Sequence, residues 1–108
     1  MKVLIIATVA VASLAGAANA GSISDLQFLE AARCRGLASS ENLGKLDTAS
    51  LDALLRAEGG DRDLAVRTSA VSKIDAARKQ ADAADDKKKA KLLAERESKC
   101  AAYLGGAK

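Results

Sequence analysis

Cys34 and Cys100 are the only cysteines in the chain, and two thiols can form a disulfide, hold a metal or attack a substrate. Arg33 and Arg35 flank Cys34 and would lower a thiol pKa toward the reactive thiolate. Nucleophilic catalysis of that type also needs a positioned base, most often histidine, and the sequence has none. Two cysteines without histidine make a poor zinc site, and no Cys-x-x-Cys spacing supports thioredoxin-like redox work. A Cys34–Cys100 disulfide is the chemistry these residues favour, provided the chain reaches an oxidising compartment.

Carboxylates could supply acid/base or metal chemistry, and they are densest at Asp61-Arg62-Asp63 and Asp82-Ala83-Ala84-Asp85-Asp86. Neither group has the alternating oxygen ligands, glycine and terminal glutamate of a calcium loop. Helix caps and solvated faces account for both. Lys87, Lys88, Lys89 and Lys91 form the one basic run, which could touch an anionic surface through charge alone. Asp85, Asp86, Glu95 and Glu97 balance it, so it reads first as the wet side of a helix. Phe28 and Tyr103 are the only aromatics, so the stacking partners of a nucleic-acid surface are missing. No metal, cofactor or nucleic acid is expected.

The compartment is written at the N-terminus. Lys2, an apolar run from Val3 to Leu14, and Ala18-Asn19-Ala20 have the pattern of a bacterial secretory signal peptide, with Ala18 and Ala20 at the −3 and −1 positions of cleavage. Gly21 rather than cysteine follows, which argues against a lipid anchor at that point. No second apolar run appears, so the mature chain is expected in the periplasm or outside the cell without a membrane span. The formal charge of +3 loses Lys2 on cleavage and is too mild to argue for a polyanion partner.

Residues 21–108 are enough for one small domain. Without proline, and with apolar residues three and four apart, it reads as all-α. Ser24 and Gln27 form a capping box, Ile23 and Phe28 a hydrophobic staple, and Gly36 an αL stop for a first helix ending near Arg35. Ala38 to Lys45 is a connector. A second helix starts at an Asp47 N-cap with Leu46 and Leu51 as its staple, and ends at Gly59-Gly60.

From Asp61 to Leu104 no helix breaker intervenes, and Ile74, Ala81, Leu92 and Tyr103 fall on nearly one line of a continuous helix. Arg78 with Asp82, Asp85 with Lys89, and Glu95 with Lys99 are spaced as helix pairs. The cysteines oppose such a rod. Drawn straight from Asp61 to Cys100 it would be about 58 Å long, and the path back from Cys34 barely matches that length. A fold-back near Ala83 to Asp86 is therefore expected, giving a small four-helix arrangement of two helical hairpins stapled by one disulfide.

Leu26, Phe28, Leu29, Leu37, Leu46, Leu51, Leu54, Leu55, Leu64, Val71, Ile74, Leu92, Leu93 and Leu104 are the candidate core, with Ala70, Ala77, Ala81 and Ala84 allowing close helix approach. The leading functional expectation is a small, non-enzymatic exported protein that binds a protein or an envelope component. A second is an acid-responsive periplasmic chaperone, whose switch would operate near pH 4 because carboxylates must carry it. In size, export and single-disulfide build the chain loosely resembles the small acid-activated periplasmic chaperones, without a residue motif that carries the likeness. A carboxylate enzyme acting on a glycan comes third, since so small and aromatic-poor a bundle offers little cleft for a sugar.

Overall fold

Residues 23–104, which a computed structural model describes, form four helices and no strand: α1 (Asp25–Ala38), α2 (Ala49–Gly59), α3 (Leu64–Asp82) and α4 (Asp86–Ser98). The expected signal segment 1–20, with Ala18 and Ala20, lies outside the described residues. Each helix start has a local cause. Ser24 Oγ accepts from the Gln27 amide at 3.0 Å, and Gln27 Oε1 accepts from the Ser24 amide at 3.0 Å, closing the capping box. Ile23 and Phe28 join one apolar cluster beneath it, as a staple requires. At α2 the N-cap moves one residue on, to Thr48, and the Asp47 carboxylate instead accepts from the Ala49 amide at 2.9 Å.

The expected fold-back is present. α3 stops at Asp82, and the Asp85 side chain accepts from the Lys88 amide at 2.9 Å to start α4. The reversal brings Cys100, just past α4, to Cys34 on α1, with an S–S distance of 2.06 Å and a Cα–Cα distance of 5.6 Å. Both sulfurs are buried. A cross-link spanning 66 residues contributes about 4 kcal/mol in the chain-entropy account.

Gly36 corrects the sequence reading. It lies inside α1, which continues to Ala38, and among the described glycines only Gly44 has a positive φ, 93°. A Cβ on Gly36 would collide with the Ile74 carbonyl and lie 2.8 Å from Ala77 Cβ and 3.1 Å from the Arg78 amide. The glycine is therefore the point where α1 and α3 cross. Ala70, Ala77 and Ala81 form the buried face of α3, and Ala31 and Ala32 are fully buried on α1.

The small crossing residues divide the core into two clusters. One gathers Leu37, Leu43, Leu51, Leu92 and the disulfide, and the other is built on Phe28, Ala32 and Ala70. Four expected core residues are instead exposed: Leu26 (78%), Leu64 (70%), Val71 (67%) and Leu46 (42%). Leu64 and Val71 share a line about 100° round α3 from Ala70, so the face that meets α1 excludes them. Leu26 lies one turn before Glu30, which accepts from the Tyr103 phenol at 2.9 Å, and is exposed. The Leu46 amide donates to the Ala38 carbonyl at 2.8 Å while its side chain stays outside, so the second staple does not form.

Two glycine substitutions should shift stability in opposite directions. Gly36→Ala gains up to about 1 kcal/mol of helix propensity, but overpacking against a backbone carbonyl costs about 1–3 kcal/mol, so urea melts should show net loss. Gly60→Ala meets open space at φ −57° and should gain about 0.4–1 kcal/mol. A stabilised Gly36→Ala variant would refute the crossing.

Candidate functional site

Charged side chains first have structural work in this protein. α1 is tied to α4 by Arg33, whose Nε and Nη2 donate to the two Glu95 oxygens at 2.6 and 2.9 Å. It is tied to α2 by Arg35 and Asp52, whose other oxygen accepts from Thr48 Oγ1 at 3.0 Å. The end of α3 is held to the connector by Ser40 Oγ, which donates to Asp82 at 2.7 Å. These contacts replace three helix-spaced pairs expected from sequence: Arg78 turns back to Asp75, Glu95 faces Arg33 rather than Lys99, and Lys89 makes no ion pair with Asp85.

The carboxyls respond accordingly. The hydrogen bond from Arg33 holds Glu95 below the usual carboxylate range, that from Arg35 does the same for Asp52, and that from Ser40 for Asp82. The Glu95 contact raises Arg33 in turn. Burial, followed by donation to Glu30 at 2.9 Å, raises the Tyr103 phenol.

Arg96 is the charged residue that sequence reasoning missed. Its guanidinium is buried and donates to the carbonyls of Leu37 at 3.2 Å, Gly44 at 2.8 Å and Leu43 at 3.0 Å. These oxygens belong to the end of α1 and the connector, where a cation also meets the negative pole of the helix. Burial lowers its pKa, yet arginine stays protonated. A signal did exist: Leu92, Arg96 and Cys100 are spaced four apart on one helical face, so the charge falls on the inward side.

The acidic group at 61–63 sits at one end of the bundle. Arg62 donates to Asp25 at 2.6 Å, the Ile23 carbonyl at 2.6 Å and Glu58 at 3.1 Å, and its guanidinium lies 4.8 Å over the Phe28 ring. Asp61 and Asp63 border an open cleft beside it. Asp63 is the N-cap of α3 through its backbone alone. Among the described residues no group of three or more histidine, cysteine, aspartate or glutamate side chains is arranged to hold a metal ion.

The expected basic run divides over α4. Lys87, Lys88 and Lys91 are exposed and Lys89 is half-buried. Lys88 and Lys91 border a shallow cavity with Arg33, Gln80, Leu92 and Glu95. Cys34 and Cys100 are joined to each other, so neither is a free thiol.

A mostly apolar concavity with cationic edges lies between α2 and α3. It is a groove of about 300 Å³ with Phe28, Leu55, Ala70 and Ile74 on its walls, Val71 at one lip, and Gly59-Gly60 at the other. Arg56 and Arg67 are its only charged lining residues, and neither makes an ion pair among the described residues. Sequence reasoning assigned Leu55, Val71 and Ile74 to the core and did not anticipate this opening. No helix among the described residues is long and apolar enough to cross a membrane. The chain matches no protein-family model, no curated protein and no solved structure.

The three tethered carboxyls set an acid dependence. Each has a folded pKa below its unfolded value of about 4, so it adds stability above that value and loses it as pH falls through the folded value. Thermal melts should therefore show Tm dropping below about pH 4, and Glu95→Gln with Asp52→Asn should flatten that drop. An unchanged pH slope in the double variant would dismiss the two arginine tethers as its source.

Proposed function

We propose that this chain is a small exported helical protein of the bacterial cell envelope that works by binding a protein or another envelope component rather than by catalysis. The open groove between α2 and α3 carries this reading: it keeps Val71 exposed and Leu55 and Ile74 only half-buried, while Arg33, Arg35, Arg62 and Arg96 are occupied in holding helices and loops together. A concave apolar surface with a few polar groups at its edge is the general form of a binding site. The export pattern at residues 1–20 and the Cys34–Cys100 disulfide agree with an oxidising compartment.

The test is photo-crosslinking in cells producing the full chain, with the reactive amino acid at Val71 or, as a control on an exposed position of α4, at Glu97. An envelope adduct formed from Val71 and absent from Glu97 is expected. No adduct from Val71 would sink the proposal.

A second reading, an acid-responsive chaperone, is favoured by one specific observation. Glu95 and Asp52 tie α1 to its neighbours, Asp82 ties α3 to the connector, and all three sit below the ordinary carboxylate range. Their protonation would loosen helix packing and expose leucine faces while the disulfide keeps the ends joined. Suppression of client aggregation near pH 3, absent at pH 7, is expected on this reading. Unchanged aggregation at pH 3 with excess protein would eliminate it.

A further inference from the structure

The α2–α3 groove has features that narrow its occupant beyond the general binding role on which this step rests. Leu64, Arg67, Val71 and Ile74 follow one another at intervals of three and four along α3, the spacing of the a and d positions that seat a second helix. The first three are exposed, and Ile74 is half-buried in the groove. Among the described residues, α1 takes the alanine face of α3 and leaves Leu64, Arg67 and Val71 exposed.

The facing lip admits a close approach. α2 ends in Gly59-Gly60, and a Cβ on Gly60 would meet nothing within 4 Å, so the backbone lies open on that side. Glycine and small residues at a helix contact allow a partner to lie near the main chain. A helix with leucines at one face could thus settle against Leu55, Val71 and Ile74.

Charge selects among such helices. Arg67 stands within the seam and Arg56, whose charge also acts on Asp52 one turn before it, on the opposite wall; both are exposed and in no ion pair among the described residues, and no carboxylate lines the groove. Two unpaired guanidinium groups flanking an apolar floor complement a segment with carboxylates beside its apolar face, and repel a basic one. We infer that the groove between α2 and α3 docks an acidic amphipathic helix of another protein, with its apolar side on Leu55, Val71 and Ile74 and its carboxylates on Arg56 and Arg67.

The experiment titrates the disulfide-bonded mature protein with three synthetic helical peptides of about five turns, sharing one leucine face and carrying glutamate, glutamine or lysine on its flanks. Amide chemical shifts report the site and the affinity. The expected result is perturbation at Gly59, Gly60 and Val71 by the glutamate peptide, weakened by added salt. Arg56→Glu with Arg67→Glu should weaken it about tenfold or more, since two attractive pairs become repulsive. Val71→Ser, which changes no charge, should weaken it through the lost apolar contact alone.

Equal binding of the glutamine peptide at the same amides would overturn the acidic partner while leaving a binding groove. Concentration-dependent dimerisation through these amides without any peptide would overturn it in favour of a second copy. Broad perturbation by anionic and neutral vesicles alike, with no peptide binding, would overturn it in favour of a lipid surface. Absence of any perturbation at these amides would remove both the acidic helix and the groove as a site.

Discussion

The close crossing of α1 over α3 at Gly36 is the constraint on which the other contacts depend. With no side chain at that point, the backbone of α1 comes down on the Ile74 carbonyl and the Ala77 methyl. Only a helix face made of small residues can be approached so nearly, and α3 supplies one with Ala70, Ala77 and Ala81. Once the two helices are set at this distance, the alanines opposite have little freedom to be larger. The crossing thus fixes both the spacing and the composition of the centre.

A contact made of glycine and alanine brings backbones together but removes modest apolar area from water. Larger side chains pack on either side of it, around Leu37 and Leu51 in one cluster and Phe28 in the other. The remaining cohesion is polar and covalent. Arg96 closes the three carbonyls left at the end of α1 and in the connector, so the turn between α1 and α2 needs no water to satisfy them. No buried side-chain nitrogen or oxygen among the described residues is without a partner. The Cys34–Cys100 bond then restricts the unfolded chain, where a small core offers least margin.

Local signals in the sequence were strong where a single residue or pair sets the backbone. The Ser24–Gln27 capping box and the Gly59-Gly60 end of α2 could be read directly. The turn near Ala83 to Asp86 came from reach, because the path from Cys34 barely spans a straight helix to Cys100 and would leave α2 no slack to pack. Gly36 was misread because a glycine late in a helix has two uses, a left-handed stop or a close contact, and only the neighbouring helix distinguishes them. Leu64 and Val71 were misplaced for a related reason. Hydrophobicity nominates residues for burial, but the angular position of the partner determines which line of a helix is covered.

That angular choice also explains why the candidate site could not be found from sequence. α3 carries two usable faces, an alanine face and a seam of Leu64, Arg67, Val71 and Ile74, separated by roughly one residue's rotation. A binary pattern of apolar and polar residues would assign the larger residues inward, since they bury more area. Gly36 reverses the order, because its matching partner is a row of small side chains rather than large ones. The apolar groups displaced from the crossing remain exposed beside α2, where Arg56 and Arg67 give the opening a sign. The groove is in this sense a consequence of the fold's tightest contact: the face that holds the protein together is the poorer one in apolar area, and the richer one stays partly exposed among the described residues.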